Sequence, residues 1–209
     1  KIAPRCQLME LCKPLEANID GEIVQFELIF RNYLTGSLFD ACQNGKDPYG
    51  LELASDLPQW YKFSTPIFTP TTKGVKDEPL NSAKVRETFP EIVSSLEKLF
   101  KDFTKFAEDR GIIVVDTKFE IFVNSKGEWV LGDEVLTPES SRFISKEDFD
   151  VQNYISMDKQ ILRDFGKVEN WKEKAKELKI GEKLEVNVPQ EIKNKILSGY
   201  TTILKRLSK

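Results

Sequence analysis

The sequence predicts an α/β chain, α+β in arrangement, with an antiparallel-rich sheet and flanking helices. Three observations carry this. Residues 112–123 read as the best strand in the chain, 124–127 are turn residues, and 128–131 return as a hairpin partner. Residues 7–30 alternate apolar runs with turn signals. Apolar side chains recur at helical spacing over 92–107 and again over 189–207.

Taken in order, residues 7–15 read as a strand, 18–21 as a turn and 22–30 as a second strand. At 31–37 a strand gives way to a glycine turn at Gly36, and 44–70, rich in Pro, Gly and Asp, reads mostly as loop with short strands. Residues 69–81 form a polar loop carrying Lys73, Lys76, Asp77 and Glu78. The helix over 92–107 meets Gly111 where a terminating glycine belongs. Beyond Pro138 the chain reads as irregular until helices near 158–165 and 169–178; the last helix has Pro189 at its first position and Ile192, Ile196, Tyr200, Ile203 and Leu207 on one face.

A chain of 209 residues and 24.0 kDa, 40% hydrophobic and 31% charged, can bury a sizeable core without disulfide or metal support. The formal net charge of -3 and pI near 5.3 exclude a nucleic-acid binder that relies on a basic surface. The absence of histidine excludes Ser-His-Asp chemistry, His-ligated zinc and an imidazole base. Cys6, Cys12 and Cys42 are sparse and lack CxxC spacing, which predicts reduced thiols in a cytoplasmic protein. The longest pure aliphatic stretch, 112–115, is too short to cross a bilayer and no signal peptide is visible; a start at Lys1 instead of Met is expected to be processed, truncated or non-natural.

The densest chemical signal is 116–120. On a strand, Asp116, Lys118 and Glu120 share one face, and Val115, Thr117, Phe119 and Ile121 the other. An acid–base–acid face either lines a cleft or is a solvated face with an internal salt bridge. The hairpin brings Asp133 near Lys118 or Glu120, so Glu120 and Asp133 could converge on a divalent ion, or Asp133 could simply pair with Lys118. The hydroxyl-rich loop 136–143, ending in Ser141, Arg142 and Phe143, suits a phosphate, as does Arg31 with Ser37. Lys159 and Arg163 lie four apart on a helix. Plain turns and surface cations explain any one of these clusters equally well.

The segments FRNYLTGS (30–37), TPIFTPTTK (65–73), GIIVVDTKFE (111–120), GDEVLTPESSRF (132–143) and DKQILRD (158–164) occur in the order found in the SAICAR synthetase family, which the chain resembles. The resemblance extends to the closing segment PQEIKNKILSGYTTILKRL. It implies a two-lobed fold with a nucleotide cleft between the lobes, and ATP, Mg2+, L-aspartate and carboxyaminoimidazole ribotide (CAIR) as ligands. It implies a ligase of purine biosynthesis, with phosphorylation of the ribotide carboxylate and then displacement of phosphate by the aspartate amine. Residue by residue, it implies that Arg31, Ser37, Ser141 and Arg142 hold the ribotide phosphate, while Glu120 and Asp133 serve metal and nucleotide. Asp116, Lys118, Lys159 and Arg163 shape the substrate pocket, Asp116 and Lys118 as catalytic groups, with Lys73 and Asp77 on a loop beside it. Neither a nucleic-acid nor a membrane partner is implied, and a homodimer is left open.

Departures from the family pattern shape further expectations. Residues 1–30 read as only the end of an N-terminal ATP-binding β lobe and 31–209 as the main substrate- and metal-binding domain. A longer turn at 16–25 leaves adenine contacts placed only at about residues 12–15, and Lys76-Asp77-Glu78 stands where the family often has His-Asp-Glu. Residues 1–209 contain no glycine-rich loop with a lysine to cradle a triphosphate, so ribotide binding with slow turnover is expected, with Ile23, Phe26 and Leu28 incompletely covered. Two rival readings are a small-molecule kinase of related fold, against which TPTTK and SSRF speak, and a non-catalytic nucleotide-binding fragment.

Overall fold

The computed structural model describes residues 9–19, 21–74, 77–179 and 182–209. The chain forms an antiparallel sheet with flanking helices and gathers into two compact units, one built from residues up to 98 with 118–135, the other from 99–117 with 136–209.

The first unit holds β1 (Lys13–Pro14), β2 (Glu16–Ile19), β3 (Glu22–Tyr33), α1 (Ser37–Gln43), β4 (Lys62–Phe68), β5 (Thr71–Thr72), α2 (Ser82–Thr88) and the start of α3 (Pro90–Glu108). The second half of β6 (Ile112–Val123) and β7 (Trp129–Gly132) complete it. β2 and β3 form a hairpin, with β2 lying not in the strand expected over 7–15 but over residues expected to belong to a longer turn at 16–25: the Asn18 side-chain oxygen accepts the Gly21 amide at 2.9 Å, and Gly21 takes φ 92°. β3 also pairs antiparallel with β4 and β5. Its inward residues make the core, where Phe30 stacks on Phe68 at 5.0 Å and meets Phe119 edge-on at 6.1 Å.

The second unit holds the rest of α3, the first half of β6, β8 (Ser141–Ser145), α4 (Lys146–Asp150), α5 (Gln160–Val168), α6 (Trp171–Lys176) and α7 (Gln190–Leu207). Gly111, at φ 74°, ends the turn after α3 as expected. Phe103 of α3 packs edge-on against Phe143 of β8 at 6.2 Å, with Ile112, Ile144 and Ile203 buried. α7 approaches the segment before α5 at Gly199, where an added Cβ would lie 2.4 Å from the Met157 carbonyl oxygen.

The strand gives way at Gly36, φ 63°, as expected, and the residues after it, 37–43, form a helix because Leu38 and Cys42, one turn apart, bury against Leu34 and Tyr49. Three further expectations are corrected. Residues 141–150, read as irregular, are β8 and α4: a run of two serines, an arginine and two apolar residues becomes a strand only where β6 offers it a partner. Pro189 sits one position earlier than expected, as the N-cap of α7. Of the three side chains expected to be poorly covered, only Ile23 is (74% exposed); Phe26 and Leu28 are buried, Phe26 lying 5.3 Å from Phe89 just after α2. Cys12 and Cys42 are free thiols, while Cys6 lies outside the described residues. No described helix is long and apolar enough to cross a membrane.

Phe30 is fully buried between two aromatic rings, so Phe30→Ala should leave a cavity and lower the unfolding free energy by about 3–5 kcal/mol. Urea titration monitored by circular dichroism measures it; a loss under about 1 kcal/mol would mean that the site collapses around the deletion.

Candidate functional site

In the first unit, alternation along β6 points Lys118 and Glu120 to the same side, and there they meet. Lys118 Nζ donates to Glu120 Oε1 at 2.9 Å and to Glu27 Oε1 of β3 at 2.8 Å. Lys73, on the loop after β5, pairs with the other Glu120 oxygen. Glu120 is only 4% exposed and Glu27 is also buried, so this is not a solvated face. It is a half-buried charged cluster in which the internal salt bridge is present. Burial acts to raise the Glu120 pKa, yet the bonds from Lys73 and Lys118 outweigh it and hold the carboxyl below its ordinary value. Burial acts to lower the Lys118 pKa, and its two carboxylate partners raise it instead. The ammonium is therefore held charged.

Asp133 stands apart from that cluster's bonding. The register sets Gly132, not Asp133, opposite Glu120, and Asp133 leaves the strand in a left-handed conformation at φ 56°. It is exposed and its carboxylate has no hydrogen-bond partner among the described residues. Glu120, Glu27 and Asp133 are hard oxygen donors of the kind Mg2+ takes; among the described residues no cluster of three or more His, Cys, Asp or Glu is arranged to hold a metal. Arg31 is 8% exposed; its Nε donates to Thr69 Oγ1 at 2.9 Å and its guanidinium also bonds the buried Tyr49 hydroxyl, whose pKa burial raises. Ser37 opens α1 and is exposed, as is Asp77, while Lys76 lies outside the described residues.

In the second unit, β6 pairs with β8 so that Asp116 lies opposite Arg142 and Thr117 opposite Ser141. The register slips between Val114 and Asp116, leaving Val115 as an extra residue in β6. That bulge interrupts the simple alternation expected for the strand. Arg142 Nε donates to the two Asp116 oxygens at 2.9 and 3.0 Å, and Nη2 also bonds Asp116. Its Nη1 donates to nothing among the described residues. Burial acts to lower the Arg142 pKa, and Asp116 raises it, with Asp158 and Asp164 adding to the effect. Thr117 and Ser141 share a buried hydroxyl–hydroxyl bond of 2.7 Å. Lys159 caps α5 and its ammonium lies 3.9 Å from Glu139, which accepts from the Tyr200 hydroxyl of α7; Arg163 is exposed on α5.

Sequence reasoning missed Glu27, Tyr49 and Asp158. Glu27 sits mid-strand among apolar residues, a detectable signal for a buried charge. Asp158 is fully buried, and burial raises its pKa against bonds from Ser156, Phe143 and Gln160. Nothing in the sequence marks Tyr49 as a partner of Arg31.

The SAICAR synthetase family model matches residues 17–178, over the strand that carries both clusters. The chain belongs to the SAICAR synthetase family. It is 37% identical over 153 residues to the phosphoribosylaminoimidazole-succinocarboxamide synthase of Cyberlindnera jadinii, covering 69% of this chain and 51% of that protein. A structure of the SAICAR synthase from Saccharomyces cerevisiae complexed with SAICAR superimposes with TM-score 0.65 at 29% identity, over 88% of this chain and 60% of that one. A SAICAR synthetase (Type-2) in complex with ADP gives TM-score 0.53 at 26% identity, over 83% and 67%. The chain spans about half the length of the first of these relatives.

Glu120, held below the ordinary carboxylate pKa of about 4.3, stabilises the fold above that pH and loses its contribution as pH falls through its own lower value. Lys118, held above about 10.4, contributes below that pH and loses its contribution as pH rises past its own value. Lys118→Met should therefore move the Glu120 titration to higher pH and narrow the plateau of stability at its acid end. Carbon-13 NMR of the Glu side chains reads the first, urea midpoints against pH the second; an unmoved Glu120 titration would show that Lys73 alone sets it.

Proposed function

We propose that the protein is an ATP-dependent ligase of purine biosynthesis that joins L-aspartate to CAIR to give SAICAR. The observation that carries this is the family match over 17–178, which spans the buried Asp116–Arg142 pair and the Lys118–Glu120–Glu27 cluster. The S. cerevisiae neighbour's complex with SAICAR and another neighbour's complex with ADP support the ribotide and the nucleotide as ligands.

The chemistry brings anions together. A carboxylate oxygen of CAIR attacks the γ-phosphorus of ATP and ADP leaves; the aspartate amine then attacks the acyl carbon, phosphate leaves, and the amine loses its proton. Each step needs fixed positive charge and exact placement more than an unusual base. Lys118, kept protonated by Glu27 and Glu120, is no base at neutral pH and serves as a positive charge for developing phosphoryl oxygens. Asp116 holds the Arg142 fork and leaves Nη1 to face the ribotide phosphate, with Ser141 beside it. The family resemblance assigns Arg31 and Ser37 to phosphate binding, and Lys73, Asp77, Lys159 and Arg163 to the substrates. Glu120 and Asp133 are the hard oxygen donors that would hold Mg2+, which when bound would offset phosphate charge. The protein is placed in the cytoplasm, acting on small molecules.

Sustained turnover of ATP to ADP with CAIR present should require L-aspartate, as a kinase would not. Continuous ADP release without aspartate would favour the kinase reading. Arg142→Lys keeps the charge against Asp116 but loses the fork, so it should raise the KM for CAIR about tenfold or more and leave the KM for ATP within twofold. Equal rises in both would assign Arg142 to the fold or the nucleotide.

A further inference from the structure

One fully buried side chain in the second unit, Asp158, is absorbed by none of the roles above. Its Oδ2 accepts the Phe143 amide at 2.8 Å and the Ser156 hydroxyl at 2.5 Å, and its Oδ1 accepts the Gln160 amide at 2.8 Å. Those amides are significant for where they lie. A peptide unit is planar, so the N–H of residue 143 moves with the carbonyl and Cα of Arg142, and the N–H of residue 160 moves with those of Lys159. One carboxylate thus holds the peptide planes of two cations that are seventeen positions apart in the chain.

We infer that Asp158 is a positioning residue, a clamp whose two oxygens fix Arg142 on β8 against Lys159 at the head of α5. The inference rests on the reading in which these cations grip the phosphorylated ribotide. The surrounding backbone reinforces the clamp. Met157 donates to the Phe143 carbonyl at 2.9 Å, Ser156 bridges to Ile144, and the Lys159 amide donates to Pro138 at 3.3 Å, at the base of the hydroxyl-rich loop. Gly199 of α7 seals the far side, since any Cβ there would meet the Met157 backbone. The negative charge of Asp158 also supports the Arg142 cation. An asparagine in its place has one accepting oxygen and one donating nitrogen. It satisfies one amide and faces the other donor to donor, so one cation's peptide plane is released while the core volume stays the same.

The test compares the full chain with Asp158→Asn and Ser156→Ala, using ribose 5-phosphate as the probe in isothermal titration calorimetry, and then the KM for CAIR against kcat. Ser156→Ala removes a bond to the same carboxylate but leaves both clamped amides, so affinity should hold within twofold even where thermal stability falls. Asp158→Asn should weaken ribose 5-phosphate about tenfold or more and raise the KM for CAIR similarly, with kcat changed far less. Unchanged affinity in Asp158→Asn, or losses in both variants that track their stability, would overturn the clamp. So would a wild type that binds no ribose 5-phosphate. A wild type that binds it but releases no ADP in response to aspartate would overturn the ligase reading alone. If Asp158→Asn does not fold, amide hydrogen exchange on the wild type decides: ribose 5-phosphate should slow exchange at Phe143 and Gln160 by the same factor, and independent or absent slowing would overturn the proposal.

Discussion

A carboxylate buried as deeply as Glu120 can remain charged only with opposite charge against it. That requirement fixes much of the first unit. Lys118, two residues back on the same strand, supplies one ammonium; Lys73, from a loop far away in sequence, supplies another; Glu27 on β3 engages the Lys118 charge in turn. Glu27 on β3 and Glu120 on β6 each sit between two apolar residues, so the strands cannot slide by a residue without placing unpaired charge in the core. The resulting cluster has balanced charge, two carboxylates and two ammonium groups, and Lys118 is held protonated by its two carboxylate partners.

The second unit meets the same demand with a different device. Asp116 and Arg142 face each other across β6 and β8, one residue beyond a bulge at Val115. The bulge lets β6 give apolar side chains to the core before it and a carboxylate to Arg142 after it. Because Asp116 takes up Nε and Nη2, the guanidinium is oriented by a forked contact and not by a single bond. Behind it Asp158 binds backbone amides that no strand or helix ladder satisfies.

Much of this was legible in the residues. The bounds of β6 follow from its apolar and β-branched residues up to the turn at 124–127, and α3 from its regular apolar spacing and terminal glycine, because both signals are local and long. The Lys118–Glu120 contact follows from strand periodicity alone. Asp133 shows the limit of such reasoning. Hairpin symmetry put it near Glu120 or Lys118, but the strand ends at Gly132 and the left-handed turn at Asp133 takes the chain away from the ladder. The helix at 37–43 and the strand at 141–145 were missed since each is shorter than the window in which periodicity can be seen.

The sequence by itself determined the family, through five ordered segments, and the identity of the charged groups available, through the absence of histidine and the acid–base–acid run at 116–120. It also determined the long strand and helices, whose side-chain periods depend only on neighbours a few residues away. Only the tertiary structure decided which charges are paired: Glu120 with Lys73, Lys118 with Glu27, Asp116 with Arg142, and Asp158 with two amides. Partners separated by tens of residues are chosen by which strands lie side by side and in what register. That choice belongs to the packed chain as a whole, because a buried charge is stable only beside a counter-charge or donor that the fold has brought to it.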